Sequence, residues 1–554
     1  MRSSWGFHAQ LTFDEAEKIL KEKGANGNYL CRRSATTPGS YTLSVKRGNV
    51  VWHFKIRNDG DCFELYENDG FASVPDLIEY YQQNPSKFID ADGNCVQMSE
   101  PVAYDDDSDP GLDKERWFFG EIGRGEAHSF LKQRGEDGSY LVRESRSKPG
   151  SYVLSIRHKN EVTEFLIEYT DGTFDVSGTK SLKFPTMQHL LNHFTAHPPM
   201  DVHGNVVPLK EALCDTAERR KNDQRMKKEF EWLQQEDRAN TNTKSEGLKP
   251  ENRGKNRYRN ILPFDHTRVV LRNVDPNISG SDYINASYIF DDESGALFIA
   301  SQGCVKATVN DFWHMIDQEN SRIIIMVTNE VEKAKIKCVR YWPEPGVSMN
   351  VGKKIVTNTG ETATRDYVVR QLELSDELHG NQPTPPRKIF LYQFVGWPDH
   401  GVPGDPGSLL EVMQLIEATQ KTFEYPGPPV IHCSAGIGRT GTVIVISMLM
   451  SLYRIKGHLE ERDVPRTVQK VRLQRSGMVQ TEAQYRFIYN AVVFFMETVE
   501  RREVGAQQSR NLYGNLDAMS ELLSDLTGDQ EDLPPPPPRS TKASMKSKPV
   551  PKPN

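Results

Sequence analysis

A pattern written twice constrains this chain more than any other feature. Gly27-Asn28-Tyr29-Leu30-Cys31-Arg32 is answered by Gly138-Ser139-Tyr140-Leu141-Val142-Arg143, and Pro38-Gly39-Ser40-Tyr41 by Pro149-Gly150-Ser151-Tyr152, both at an offset of 111 residues. That period is too long for a stacked solenoid, so residues 1 to about 215 read as two tandem domains. Each copy shows an early helical pattern (12–23; 125–133), alternating strands such as 41–45, and a second helix (near 75–83; 186–194). The module is α+β. An arginine in the apolar centre of a strand is costly unless paired, so Arg32 and Arg143 call for an anion or a structural ion pair. Ser34 and Ser145 follow two residues later with hydroxyl groups.

At 554 residues the chain exceeds what one core organises, and three or four domains are expected. Its net charge of −7 excludes the global basic field that drives nucleic-acid or membrane association, so phosphate recognition must be local. The seven cysteines lack metal-ligand spacing, which predicts reduced thiols and neither zinc site nor structural disulfide. The first residues carry no apolar leader pattern and Met1 is not followed by glycine. The longest apolar run, 443–450, is too short to span a bilayer, so no membrane insertion or lipid anchor is expected.

A second stretch carries chemistry: Val430-Ile431-His432-Cys433-Ser434-Ala435-Gly436-Ile437-Gly438-Arg439-Thr440-Gly441. An apolar strand ends at a cysteine, small residues follow, and an arginine opens a long apolar helix. Strand, loop and helix N-terminus aim consecutive backbone N–H groups at one point, as a bound phosphate requires. Cys433 at the mouth of that cup is a candidate nucleophile, and the planar fork of Arg439 suits two phosphoryl oxygens.

The repeated stretches resemble Src-homology-2 (SH2) domains over residues 5–101 and 117–213, with an acidic linker at 102–116. The resemblance implies phosphotyrosine binding, with Arg32, Ser34 and His53 at the phosphate in the first copy and Arg143, Ser145 and Arg124 in the second. The copies differ. The first opens Trp5-Gly6-Phe7 and has Phe13 where the second has Arg124; the second opens Trp117-Phe118-Phe119-Gly120 and carries Glu164 where the first has His53. Both are expected to bind, the second against the repulsion of its own carboxylate.

Cys-x5-Arg, with His432, Ser434, Ala435, Gly436 and Thr440 around it, resembles the signature of protein tyrosine phosphatases. Lys255-Asn256-Arg257-Tyr258, Asp282 to Ala286, Trp397-Pro398-Asp399 and Gln480 to Tyr485 follow that family's order, so the likeness covers residues 222–500. The resemblance implies an α/β domain, a twisted mixed sheet flanked by helices, that hydrolyses phosphotyrosine without a cofactor or metal. By the same resemblance Cys433 attacks phosphorus, Asp399 on a mobile lid protonates the phenol, and Arg439 grips the oxygens. Gln480 places water, Gln484 assists, and Thr440 hydrogen-bonds the sulfur. Ser434, Ala435, Gly436, Ile437 and Gly438 line the cup, Tyr258 gives it the depth of phosphotyrosine, and Lys337 lies near the acid. Cys304 and Cys338 match positions thought to trap an oxidised Cys433.

The whole order, two SH2 domains (5–101, 117–213), a connector (214–221), a phosphatase domain (222–500) and a disordered tail (501–554), resembles the cytoplasmic tandem-SH2 tyrosine phosphatases. That family implies autoinhibition, with Asp61 over the signature loop and Asp76 as a second closing contact. It also implies recruitment to phosphorylated receptors and adaptors at the membrane, and a monomer. In the tail, Tyr513 reads as a phosphosite for an SH2 adaptor and 534–539 as a polyproline segment for an SH3 domain. The alternative is a catalytically weak phosphotyrosine-binding adaptor. The charges of 217–238 read as a solvated helix face.

Overall fold

The computed structural model describes residues 6–501 apart from short stretches, the longest being 103–111, 177–181 and 377–384; residues 502–554 lie outside it. Tyr513 and the polyproline segment therefore lie outside the described residues, as does Asp61.

The first module runs β1 (Phe7–His8), α1 (Phe13–Lys23), β2 (Tyr29–Arg33), β3 (Tyr41–Arg47), β4 (Val50–Asn58), β5 (Phe63–Glu64) and α2 (Val74–Gln83). Its sheet follows chain order, antiparallel except where β1 joins β2. Helix α1 starts where the sequence dictates. Thr12 and Glu15 form a capping box in which each side chain takes the other's backbone N–H, satisfying donors that the first turn leaves orphaned. Ala16, Ile19 and Leu20 then fall on one buried face.

The second module repeats this design with α3 (Arg124–Arg134), β6 (Ser139–Glu144), β7 (Tyr152–His158), β8 (Glu161–Thr170), β9 (Thr173–Val176), β10 (Lys183–Phe184), α4 (Met187–Ala196) and β11 (Glu211–Ala212). Equivalent register holds the repeat together: Ser44 faces His53 across β3 and β4, and Ser155 faces Glu164 across β7 and β8. The two modules touch through Arg33 Nη1 and Glu144 Oε2, 3.0 Å apart.

Helix α5 (Ala217–Ala239) and the short α6 (Ser245–Leu248) lead into the third region. The expectation that the charges of α5 are merely solvated is corrected. Glu229 accepts hydrogen bonds from Tyr485 and Tyr489, Asp237 accepts one from the Gly477 N–H, and Phe230 and Leu233 are buried.

The third region is built on strands β12 (Arg268–Val270), β13 (Tyr283–Phe290), β14 (Leu297–Ser301), β15 (Ile323–Met326), β16 (Val331–Glu332), β17 (Lys335–Ile336), β18 (Ser348–Val351), β19 (Lys354–Ala363), β20 (Tyr367–Asp376), β21 (Arg387–Phe394) and β22 (Val430–His432). Helices α7 (Val309–Gln318), α8 (Gly407–Gln420), α9 (Gly438–Lys456) and α10 (Asp463–Gln474) accompany them. Nine strands form one mixed sheet in the order β12-β13-β14-β22-β15-β21-β20-β19-β18, and β16 and β17 pair separately as a hairpin. Strand β22 is parallel to both its neighbours. Every residue of β22 is buried, as expected for a parallel strand covered on both faces. Helix α9 is apolar nearly all round and buried accordingly.

Candidate active site

Because β22 ends mid-sheet at His432 and α9 begins at Gly438, residues 433–437 hang at the carboxyl edge of parallel strands, where open α/β sheets hold ligands. Gly436 has φ +74°, and a Cβ there would fall 2.2 Å from Ser301 O, so the turn admits only glycine. Its N–H donates to Cys433 Sγ over 3.3 Å. The wholly buried Arg475 braces the loop from behind: Nε donates to Gly436 O (2.8 Å), Nη2 to Ala435 O (3.3 Å) and Asn285 Oδ1 (2.8 Å), and Nη1 to Ser287 Oγ (3.1 Å). With these carbonyls turned back, trans peptide geometry turns the N–H groups of Gly436 and Ile437 toward the mouth. Burial pulls the Arg475 guanidinium down to about 10, which still leaves it charged at neutral pH. His432 is pulled to about 4 by burial and is neutral; Tyr341 OH lies 2.8 Å from Nε2 and Cys433 O lies 3.2 Å from Nδ1.

Arg439 sits in the first turn of α9 and forks onto Glu332, Nη1 to Oε1 at 2.7 Å and Nη2 to Oε2 at 2.9 Å. Glu332 Oε1 also accepts from Thr328 Oγ1 and the Asn329 N–H. Burial alone raises the Glu332 carboxyl, but Arg439 and these donors outweigh it and hold it below the ordinary carboxylate range. Neither Glu332 nor Arg475 was expected from sequence. Tyr258 OH stands 3.1 Å from Ser434 Oγ, and its neighbour Arg257 clamps the segment by donating to Gly303 O, Cys304 O and Ile336 O.

Trp397 is buried beneath the Arg439 guanidinium and its Nε1 donates to Gly401 O, so the segment carrying Asp399 is tied at both ends. Gln484 Oε1 accepts the Gln480 N–H. Thr440 Oγ1 is buried without a hydrogen-bond partner, so the expected contact with the sulfur is not made in this conformation. Lys337 is buried just after β17. Burial and the adjacent Cys338 thiol push the Cys304 thiol well up.

The first module covers this site. A Cβ on Gly60 would fall 2.5 Å from Asp399 O, and one on Gly70 2.5 Å from Cδ1 of Tyr258. Gln480 Nε2 donates to Ala72 O (2.9 Å), Asn260 Nδ2 to Asp69 O (2.8 Å), and Lys335 Nζ pairs with Glu64 Oε2 at 3.1 Å. Asp76 lines a polar cavity with Asp237, Arg472, Gly477 and Gln480, and burial raises its carboxyl above the ordinary range.

The repeated pockets differ. In the first, Arg32 lies on β2 with its Nε unpartnered and its guanidinium 5.8 Å from the Phe13 ring, which meets the His53 ring at a tilt, centroids 4.2 Å apart. Ser34, two residues on, is buried. Burial, then the nearby Arg32 charge, pull the His53 imidazole down. In the second, Arg143 Nη2 donates to Glu164 Oε1 at 2.8 Å, and Arg124 Nε lies 3.1 Å from Oε2. The structural ion pair thus forms here, where repulsion of an incoming ligand was the expectation. Ser145, also buried, is hydrogen-bonded to Ser147 and the Lys148 N–H.

Residues 252–494 match the family described as Protein-tyrosine phosphatase, and residues 5–81 and 117–194 each match the SH2 domain. The chain is 34% identical to Tyrosine-protein phosphatase corkscrew of Drosophila melanogaster, over 97% of this chain and 81% of that protein. It is 32% identical to Tyrosine-protein phosphatase non-receptor type ptp-2 of Caenorhabditis elegans, over 89% and 86% respectively. Receptor-type tyrosine-protein phosphatase alpha of Homo sapiens is 42% identical but aligns with only 44% of the chain. No helix among the described residues is long and apolar enough to cross a membrane.

Proposed function

The chain belongs to the non-receptor protein-tyrosine phosphatases that carry two SH2 domains, and from that premise we propose the route of its reaction and its control. Cys433 Sγ attacks phosphorus in line, the S–P bond forms as the P–O bond to the tyrosine ring breaks, and Asp399 protonates the departing phenolate oxygen. Water, placed by Gln480 with Gln484 beside it, then attacks the cysteinyl-phosphate while Asp399 takes its proton, releasing phosphate and the thiolate. Arg439 and the loop N–H groups stabilise the equatorial oxygens throughout. The observation that carries this reading is the bidentate hold of Glu332 on Arg439, which fixes the guanidinium beside the cup before substrate arrives. Glu332→Gln keeps the shape and weakens the hold; kcat/KM on an aryl phosphate is expected to fall about tenfold, or ~1.4 kcal/mol. An unchanged value would remove Glu332 from the site's positioning.

The control follows from what lies on the cup. With Gly60, Gly70 and Ala72 against Asp399, Tyr258 and Gln480, substrate and first SH2 domain compete for one surface, and Asp61 is the residue proposed to face the loop. Asp76 closes the same contact beside α5. Phosphotyrosine at Arg32 draws the first domain away, and the second domain adds a second anchor. A wedge tests this. Gly70→Leu puts a side chain into the Tyr258 ring, and basal kcat/KM on a small aryl phosphate is expected to rise about tenfold or more while activity at saturating doubly phosphorylated peptide stays level. Asp61→Ala is expected to act in the same direction, and basal rates unchanged in both variants would end the plug reading. We place the protein in the cytoplasm, recruited to phosphorylated receptors and adaptors, with Tyr513 and residues 534–539 as further docking points.

A further inference from the structure

We propose that the phosphate pocket of the second SH2 domain is already filled by a residue of its own sheet, and that phosphotyrosine enters only by displacing Glu164. The observation is convergence. Glu164 projects from β8 at the register position held by His53 in the first domain. Its Oε1 accepts from Arg143 Nη2 at 2.8 Å and from Ser155 Oγ at 3.4 Å, its Oε2 lies 3.1 Å from Arg124 Nε, and His128 Nε2 stands 3.4 Å from Oε1. Two arginines, a histidine and a hydroxyl around one anion are what an incoming phosphate would be offered.

The pocket is also incompletely satisfied by its present occupant. Arg143 is only 5% exposed, and its Nε has no hydrogen-bond partner although both terminal nitrogens are engaged, Nη1 by Glu144 O and Nη2 by Glu164. His128 Nε2 likewise makes no hydrogen bond. A carboxylate brings two oxygens and one charge. A phosphate monoester brings three terminal oxygens and nearly two charges, enough to take the donors that Glu164 leaves unused. The site is therefore a phosphotyrosine site with an internal competitor. In the first domain the same register position holds His53, and Arg32 meets the Phe13 ring packed against it.

Competition lowers apparent affinity by the fraction of time the pocket stands open. On a singly phosphorylated peptide the second domain binds weakly. On a doubly phosphorylated chain already held by Arg32, tethering raises the local concentration to about millimolar and the same pocket fills. Glu164 thus makes the second domain a reader of the second phosphate.

The proposal rests on the phosphotyrosine reading of this domain, and the test separates the two. The full chain carrying Arg32→Ala is titrated by fluorescence anisotropy with a labelled peptide bearing one difluoromethylphosphonate analogue of phosphotyrosine, which the phosphatase does not cleave. Adding Glu164→Gln or Glu164→His is expected to tighten binding at least tenfold, and Arg143→Met added to Glu164→Gln to abolish the gain. Equal affinity whether Glu164 is kept or replaced overturns the competitor and leaves the phosphotyrosine reading standing. No Arg143-dependent binding in any form overturns both.

Discussion

Cys433→Ser is expected to lower turnover of a phosphotyrosyl peptide at least about 10⁴-fold, the scale on which removing a covalent nucleophile acts. The substitution changes one atom, and in the proposed route that atom is the one that bonds phosphorus. A serine hydroxyl needs a base to become a comparable nucleophile, and the adjacent imidazole, His432, faces Tyr341 and the Cys433 carbonyl from within the core. The cup survives the change. Arg475 still turns back the carbonyls of residues 435 and 436, and Glu332 still holds Arg439. Phosphopeptide should therefore remain bound while hydrolysis stops, and both are read from one sample by anisotropy and phosphate release. A residual rate near that of the parent would end the covalent route through Cys433.

Asp399→Ala is expected to lower kcat on phosphotyrosyl peptide by about 10² to 10⁴, the range for general acid catalysis. The control lies in the leaving group. Tyrosine's phenolate is a strong base and needs a proton as it departs, whereas a nitro-substituted phenolate does not. The defect should shrink toward unity as aryl phosphates with better leaving groups are compared. A defect independent of leaving group would make Asp399 a structural residue of the segment anchored by Trp397, and the acid would have to be sought elsewhere.

The sequence revealed the elements whose signals are local. Cys433 to Arg439 stood out because strand, glycine turn and apolar helix adjoin within a dozen residues, and Arg32 and Arg143 because a charge interrupts an apolar strand. The supports were hidden for the same reason. Glu332 belongs to a charge-rich stretch, 330–335, that reads as a wet hairpin, and only the packing of β16 beneath Arg439 makes it a partner. Arg475 follows α10 as an ordinary basic residue would follow any helix, and its burial arises because β13 and the loop close around it. Glu164 was visible as a carboxylate beside a phosphate pocket, but the sign of its effect on Arg143 depended on side-chain reach across β6, β7 and β8.

The ion pair between Arg33 and Glu144 joins residues 111 positions apart, the same interval that separates the two repeats. Each follows the arginine of its own repeat, so equivalent positions of the two repeats meet each other, the contact pattern of an isologous interface. Two identical copies would set like charges against each other there. Opposite signs at these equivalent positions make the contact attractive, and only two unlike copies can form it.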